Sequence, residues 1–183
     1  KISKIAKLDT EDIPKLVKEI ADKNDKNNHS INALKLAMIN FDQGLFYKTY
    51  SDLITNHSFE TIFNQVFVPL LDDIGLLWQT DTITPAHEHF IVELIKQKII
   101  LNTEKAINTT SLSNQTEAYV LFLPDNEVHE LGLLFTNYFI INKGAHAIYL
   151  GQSVPIDSLQ FLNTQYDKII FISCFTVKPE KDN

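Results

Sequence analysis

Two stretches of this sequence gather side chains that could hold a ligand. The first runs PDNEVHELG from Pro124 to Gly132, with Glu127 and His129 two residues apart. In extended backbone that spacing sends both side chains to the same side. A carboxylate beside an imidazole fixes its tautomer and raises its basicity, as a metal-binding histidine requires. Gly132 then lets a ligand come close where a helix begins. The same loop would also serve as a helix cap with a solvated histidine.

The second stretch joins two helices. Trp78 ends one, and nine residues intervene before Glu88 and His89 in the first turns of the next. Glu88, Val92, Ile95 and Ile99 share a stripe at helical spacing, so Glu88 heads an apolar face and needs a polar partner there. His89 is one step round, in line with Glu93 and Lys96, a row that also suits a solvated face. Trp78 would equally serve as a core anchor. His87 and His89 invite a zinc reading, but helical residues two apart diverge.

These residues need elements to position them. DKNDKNNHS, from Asp22 to Ser30, has no apolar side chain and reads as a linker; NTTSLSNQTE, from Asn108 to Glu117, reads as a second boundary. Between them the pattern is helical. Ser30 is the expected cap of a helix carrying Ile31, Leu34, Ala37 and Met38. A second helix runs from about Asp42 through Phe46, Tyr50 and Leu53. Ser58 starts a third, with Glu60 in its first turn, that Pro69 should bend or restart. The restarted piece carries Leu70, Leu71, Ile74, Leu77 and Trp78. QTDTIT makes a turn, Thr84 caps, Pro85 takes the first helical position, and the last helix reaches about Thr103. Four or five helices with short connections suggest a small bundle. From Ala118 the rhythm becomes strand, helix, strand, helix, strand: AYVLFLP, Glu130 to Asn142 stopping at Gly144, AHAIYLG, IDSLQFLNTQ and KIIFIS. Continuous apolar strands separated by helices indicate a parallel sheet covered on both faces. Ligands of such sheets bind beyond the carboxyl ends of the strands, where the Glu127 loop falls.

Composition narrows the function. The 183 residues are 44% hydrophobic and 21% charged, with a formal net charge of -7. All 16 basic residues are lysine, so the chain lacks both the field and the bidentate forks that nucleic-acid binding uses. The single Cys174 cannot form an internal disulfide, which suits a cytoplasmic protein. Apolar runs such as Ala118 to Leu123 are far shorter than the roughly 20 residues of a membrane helix. The chain begins at Lys1 and stops soon after its third strand, so it reads as a fragment of something longer.

EVHELG, set after a strand and followed by a helix and AIYLG, resembles the cobalamin-binding motif of flavodoxin-like corrinoid domains, with Glu127 where an aspartate often stands. Trp78, nine intervening residues and Glu88-His89 resemble the signature of light-sensing, adenosylcobalamin-dependent regulators of the MerR type. ISKIAKLDTED resembles the closing stretch of a MerR-type DNA-binding domain. The resemblance divides the chain into 1–22, the tail of that domain; 23–110, a helical bundle capping the cofactor; and 117–183, an incomplete flavodoxin-like cobalamin-binding domain. The fold class it implies is α then α/β. The remaining strands of the family, and its Gly-Gly, are not in this sequence.

The resemblance makes His129 the lower axial ligand of cobalt, displacing the cofactor's benzimidazole, with Glu127 as its partner. Trp78 would cover the upper face, Glu88 would bond the adenosyl ribose, and His89 could take the upper position after photolysis. Ser173 would line the pocket of the nucleotide tail. The expected protein is a photoreceptor and not an enzyme. It forms a homo-oligomer, dimer or tetramer, touches DNA through an N-terminal domain outside this chain, and has no membrane contact. Two other readings remain. One is a methyl-carrying corrinoid protein of a methyltransferase system, with the same cap, sheet and lower histidine. The other is a helical interaction domain joined to a sheet domain that binds nothing.

Overall fold

The computed structural model describes residues 28–79, 82–111, 116–162 and 166–176. The segment 1–22, most of the polar stretch Asp22 to Ser30, part of the QTDTIT turn and the closing residues 177–183 lie outside the described residues. The chain forms two compact units that divide between Ile91 and Val92.

The first unit opens with α1, residues 28–39. Ser30 does not cap it: residue 28 is already helical, which puts Ser30 inside the helix. The expected apolar stripe is buried, with Leu34, Ala37 and Met38 fully enclosed. The helix stops at Phe41, whose φ is +51°. There the Asp42 amide bonds the Ala37 carbonyl at 2.8 Å and the Phe41 amide bonds that of Met38 at 3.2 Å. This is the paired closure of a Schellman stop, made here without glycine.

Asp42 then caps α2 (Gln43–Asn56), its side chain accepting from the Leu45 amide at 2.9 Å. Ser58 caps α3 (Phe59–Ile62), accepting from the Thr61 amide at 3.1 Å. The expected break before Pro69 takes the form of a π turn over Phe63–Phe67, closed by the Val68 amide on the Phe63 carbonyl. Proline has no amide to continue a helical ladder, and the change of register directly precedes it. The wider turn buries Phe63, Val66 and Phe67 together. Phe46 stacks on Phe67 at 6.5 Å and Phe63 meets it edge-on at 6.3 Å. α4 (Val68–Gln79) follows, and α5 (Pro85–Thr109) begins at the expected proline. α5 runs past the expected end at Thr103, because Glu104–Thr109 contains no glycine or proline and Ala106 is buried.

The second unit is α/β, as expected. β1 (Glu117–Phe122), β2 (Ala147–Gly151) and β3 (Lys168–Ile172) form a parallel sheet in the order β2-β1-β3. That is how a flavodoxin-like sheet begins, with the first strand central. β1 is accordingly the most enclosed: Ala118, Val120 and Leu121 have no exposed surface. α6 (Leu131–Asn142) returns over one face. Leu121, Leu123, Leu133 and Ile140 make that core, with Tyr119, Tyr149, Ile172 and Cys174 against it. α6 ends at Gly144, with φ +79°, as expected; the Ala145 amide reaches the Ile140 carbonyl at 3.2 Å. The segment after β2 is not the expected α-helix. Ile156–Leu162 is a 3₁₀ helix with no buried residue, and Phe161 is 78% exposed. Leu159 and Leu162 are only half-buried, so burial contributes little to winding the segment into a longer helix.

No described helix is long and apolar enough to cross a membrane.

Candidate functional site

The loop after β1 is shaped before any ligand is considered. The Leu123 amide bonds the Gly151 carbonyl and the Val154 amide bonds the Leu123 carbonyl, both at 2.8 Å, tying the ends of β1 and β2 together. Asn126 turns the chain with φ +68°, and its amide donates to Ser153 Oγ at 3.3 Å. Glu127 then points inward and is 8% exposed.

Five donors converge on the Glu127 carboxylate. Oε1 accepts from the amides of Val128 and His129, each at 3.0 Å, and from His129 Nδ1 at 2.7 Å. Oε2 accepts from the Thr176 amide and hydroxyl, both at 2.8 Å. The Thr176 amide, then the His129 amide and ring, then the Thr176 hydroxyl, hold this carboxyl far below the usual carboxylate range. An ionised carboxylate only accepts, so Nδ1 of His129 must carry the proton. In the neutral ring this leaves the lone pair on Nε2, and the side chain is 65% exposed. This is the form in which a histidine binds a metal. The expected pairing of Glu127 with His129 is therefore formed.

Two neighbours also fit a bulky ligand. A Cβ added to Gly132 would meet no heavy atom within 4 Å, so the packing of the chain itself does not demand glycine there. Ser173 Oγ is buried without a hydrogen-bond partner, a condition that a ligand polar group would relieve. An accessible imidazole and an unpartnered buried hydroxyl are donor types that suit a metal-bearing organic cofactor.

The other set lies in the first unit, around the start of α5. Its first turn is fixed by His87, which acts back on the cap. The Thr84 amide and hydroxyl donate to His87 Nδ1 at 3.1 and 2.9 Å, while the His87 amide bonds the Thr84 carbonyl at 3.0 Å. The bond from the Thr84 amide back to the side chain at the third helical position is one half of a capping box, with histidine in the place of glutamate. Phe41 stacks on the same ring at 4.7 Å. His87 is thus spent on the helix start, which removes the His87-x-His89 zinc reading. Among the described residues no group of three or more His, Cys, Asp or Glu could hold a metal ion.

Glu88, on the half-buried side, has the polar partner that its stripe demands: Trp78 Nε1 donates to Glu88 Oε2 at 2.5 Å. Trp78 is 38% exposed and so is not the enclosed anchor that a core role would make it. His89 is exposed. Trp78, Glu88 and His89 belong to the first unit, and Glu127, His129, Gly132 and Ser173 to the second.

Thr176 was not foreseen from the sequence. It follows β3 by four residues, and its signal is the strand order: with β3 beside β1, the stretch leaving β3 arrives at the loop leaving β1. Cys174, before it, is pushed up by burial and by Glu127, which makes it a weak nucleophile.

Comparison with known proteins adds two findings. Residues 30–101 match the family described as B12 binding domain, a span that includes Trp78, Glu88 and His89 and stops short of His129. The HTH-type transcriptional repressor CarH of Myxococcus xanthus is 29% identical over 97 residues, which is 53% of this chain. The match spans about a third of that protein's length, 31%.

Proposed function

We propose that this chain is the cobalamin-binding sensor region of a MerR-type transcriptional regulator, taking adenosylcobalamin and answering to light. The observation that carries the reading is the His129 imidazole, 65% exposed, with its Nδ1 held by Glu127 and Thr176. Support comes from the B12 binding domain match over 30–101 and from the similarity to a transcriptional repressor.

A bound corrin would supply a cobalt able to take an imidazole and to release an alkyl group on illumination. The residues do the rest. His129 holds the metal through Nε2, Glu127 and Thr176 keep the tautomer, and Ser173 receives the nucleotide tail. Trp78 would exclude water from the alkyl group, Glu88 would hydrogen-bond its ribose, and His89 would be available as a further ligand after its loss. Loss of the upper contacts then changes how copies of the protein assemble, as dimer or tetramer, and so their hold on DNA through a separate N-terminal domain. Switching almost completely needs about 5.5 kcal/mol of differential binding. The protein is a cytoplasmic regulator rather than an enzyme.

The test is the visible spectrum and the molecular size after dark incubation with adenosylcobalamin, repeated after green light. The proposal expects both to change on illumination. Binding of methylcobalamin with a size indifferent to light would instead indicate a methyl carrier.

A further inference from the structure

His129 is followed by a second acidic residue that the site as described does not use. Glu130 caps α6 with backbone in the helical region and makes no side-chain bond to that helix's amides. Its carboxylate turns elsewhere and is 12% exposed. Oε1 pairs with Lys96 Nζ, and Oε2 accepts from the Tyr149 hydroxyl at 2.7 Å. The Gln152 side chain bonds it as well. One carboxylate therefore joins α5, β2 and the loop that carries His129.

The charges show that this is a held pair. Burial pushes the Glu130 carboxyl up, but Lys96, Tyr149 and Gln152 together bring it below the usual range. Lys96 is raised by the bond to Glu130 in spite of its own burial. Tyr149 is pushed well up by burial and then by Glu130, so it stays a donor. Glu93, a turn before Lys96, lies 3.7 Å from the same amine on the exposed side and cannot replace the tether to the loop.

We infer that Lys96 and Tyr149 are positioning residues for His129, acting through Glu130. The His129 backbone is gripped on one side by Glu127, which binds its amide and ring, and on the other by Glu130. Glu127, with Thr176, fixes the tautomer and the direction of the ring. It does not fix the loop against α5. The tether does, and a ligating nitrogen must stay within about 0.5 Å of its productive place to hold a metal. The inference rests on the reading of His129 as a cobalt ligand.

The test uses Lys96→Met, Tyr149→Phe and, as the conservative control, Lys96→Arg, each in the full chain. In the ligand-free chain, hydrogen exchange at the His129 amide should quicken about tenfold in Lys96→Met, the equivalent of about 1.4 kcal/mol. Tyr149→Phe should quicken it less, and Lys96→Arg should restore it. Exchange in β1 and α6 should not change, which separates loosening of the loop from loss of fold. With hydroxocobalamin, absorption should show the histidine-ligated fraction falling in the order wild type, Tyr149→Phe, Lys96→Met, with Lys96→Arg near wild type. Unchanged exchange and an unchanged ligated fraction in Lys96→Met would overturn the inference. A wild type without histidine ligation would overturn the function proposal instead, and exchange alone would then judge the tether.

Discussion

Replacing Glu88 with glutamine tests the contact that joins Trp78 to the start of α5. The carboxylate accepts a 2.5 Å bond from the indole of Trp78. Glutamine keeps the length and an acceptor oxygen but loses the charge. A hydrogen bond to a charged group contributes about 1.5–3 kcal/mol when buried, against about 1 for a neutral one. The negative charge in the first turn of α5 adds about 0.3–1 kcal/mol through the helix dipole. With Trp78 38% exposed, water takes over part of the lost bond, and the expected loss is about 1 kcal/mol. For a chain of 183 residues that lowers Tm by about 2–4 °C. Trp78→Phe removes the donor, and the double-mutant cycle should return a coupling of about 0.5–1 kcal/mol. Because the sequence has a single tryptophan, its one indole N–H resonance reports the bond directly. It should move upfield and exchange faster with water in Glu88→Gln. An unmoved resonance together with no measurable coupling would refute the reasoning.

Other outcomes follow from the same structure. Glu127 is ionised far below the usual carboxylate range when folded, so its contribution is complete above about pH 4.3, its ordinary unfolded value, and is lost as pH falls below that. Acid titration of wild type should therefore show a loosening of the loop that Glu127→Gln lacks; parallel curves would contradict it. Thr176→Val takes one of the five donors from Glu127 and leaves the backbone bond, so histidine-ligated cobalamin should decrease without disappearing. Phe67→Ala, at the centre of the aromatic cluster, should cost about 3–5 kcal/mol in urea unfolding. Gly144→Ala forces a side chain into φ +79° and should cost about 1–2 kcal/mol.

Much of this was legible in the residues because the local signals agreed with the tertiary outcome. Asp42, Ser58 and Pro85 marked helix starts, Gly144 marked a stop, and the strand-helix rhythm gave a parallel sheet. Glu127 and His129 met because a two-residue spacing needs only an extended turn. The failures divide between missing local signals and neighbours distant in sequence. Ser30 looked like a cap only because Asn28 and His29 carry no helical signal of their own. α5 outran Thr103 because no residue stopped it, and a buried face continued through Ala106. Ile156–Leu162 has an α-helical composition, but none of its residues is fully buried. Thr176 and the tether from Lys96 through Glu130 to Tyr149 depend on strand order and on helix placement, which no local pattern contains.

The central claim is that the imidazole of His129 is the nitrogen that grips the metal. Its most direct test is electron paramagnetic resonance of the cob(II)alamin complex, made once with ordinary protein and once with nitrogen-15-labelled histidine. The account predicts that the nitrogen splitting changes multiplicity with the label and that His129→Ala abolishes the label's effect. A splitting indifferent to the label would mean that the cofactor's own base still holds the cobalt, and the claim would be wrong.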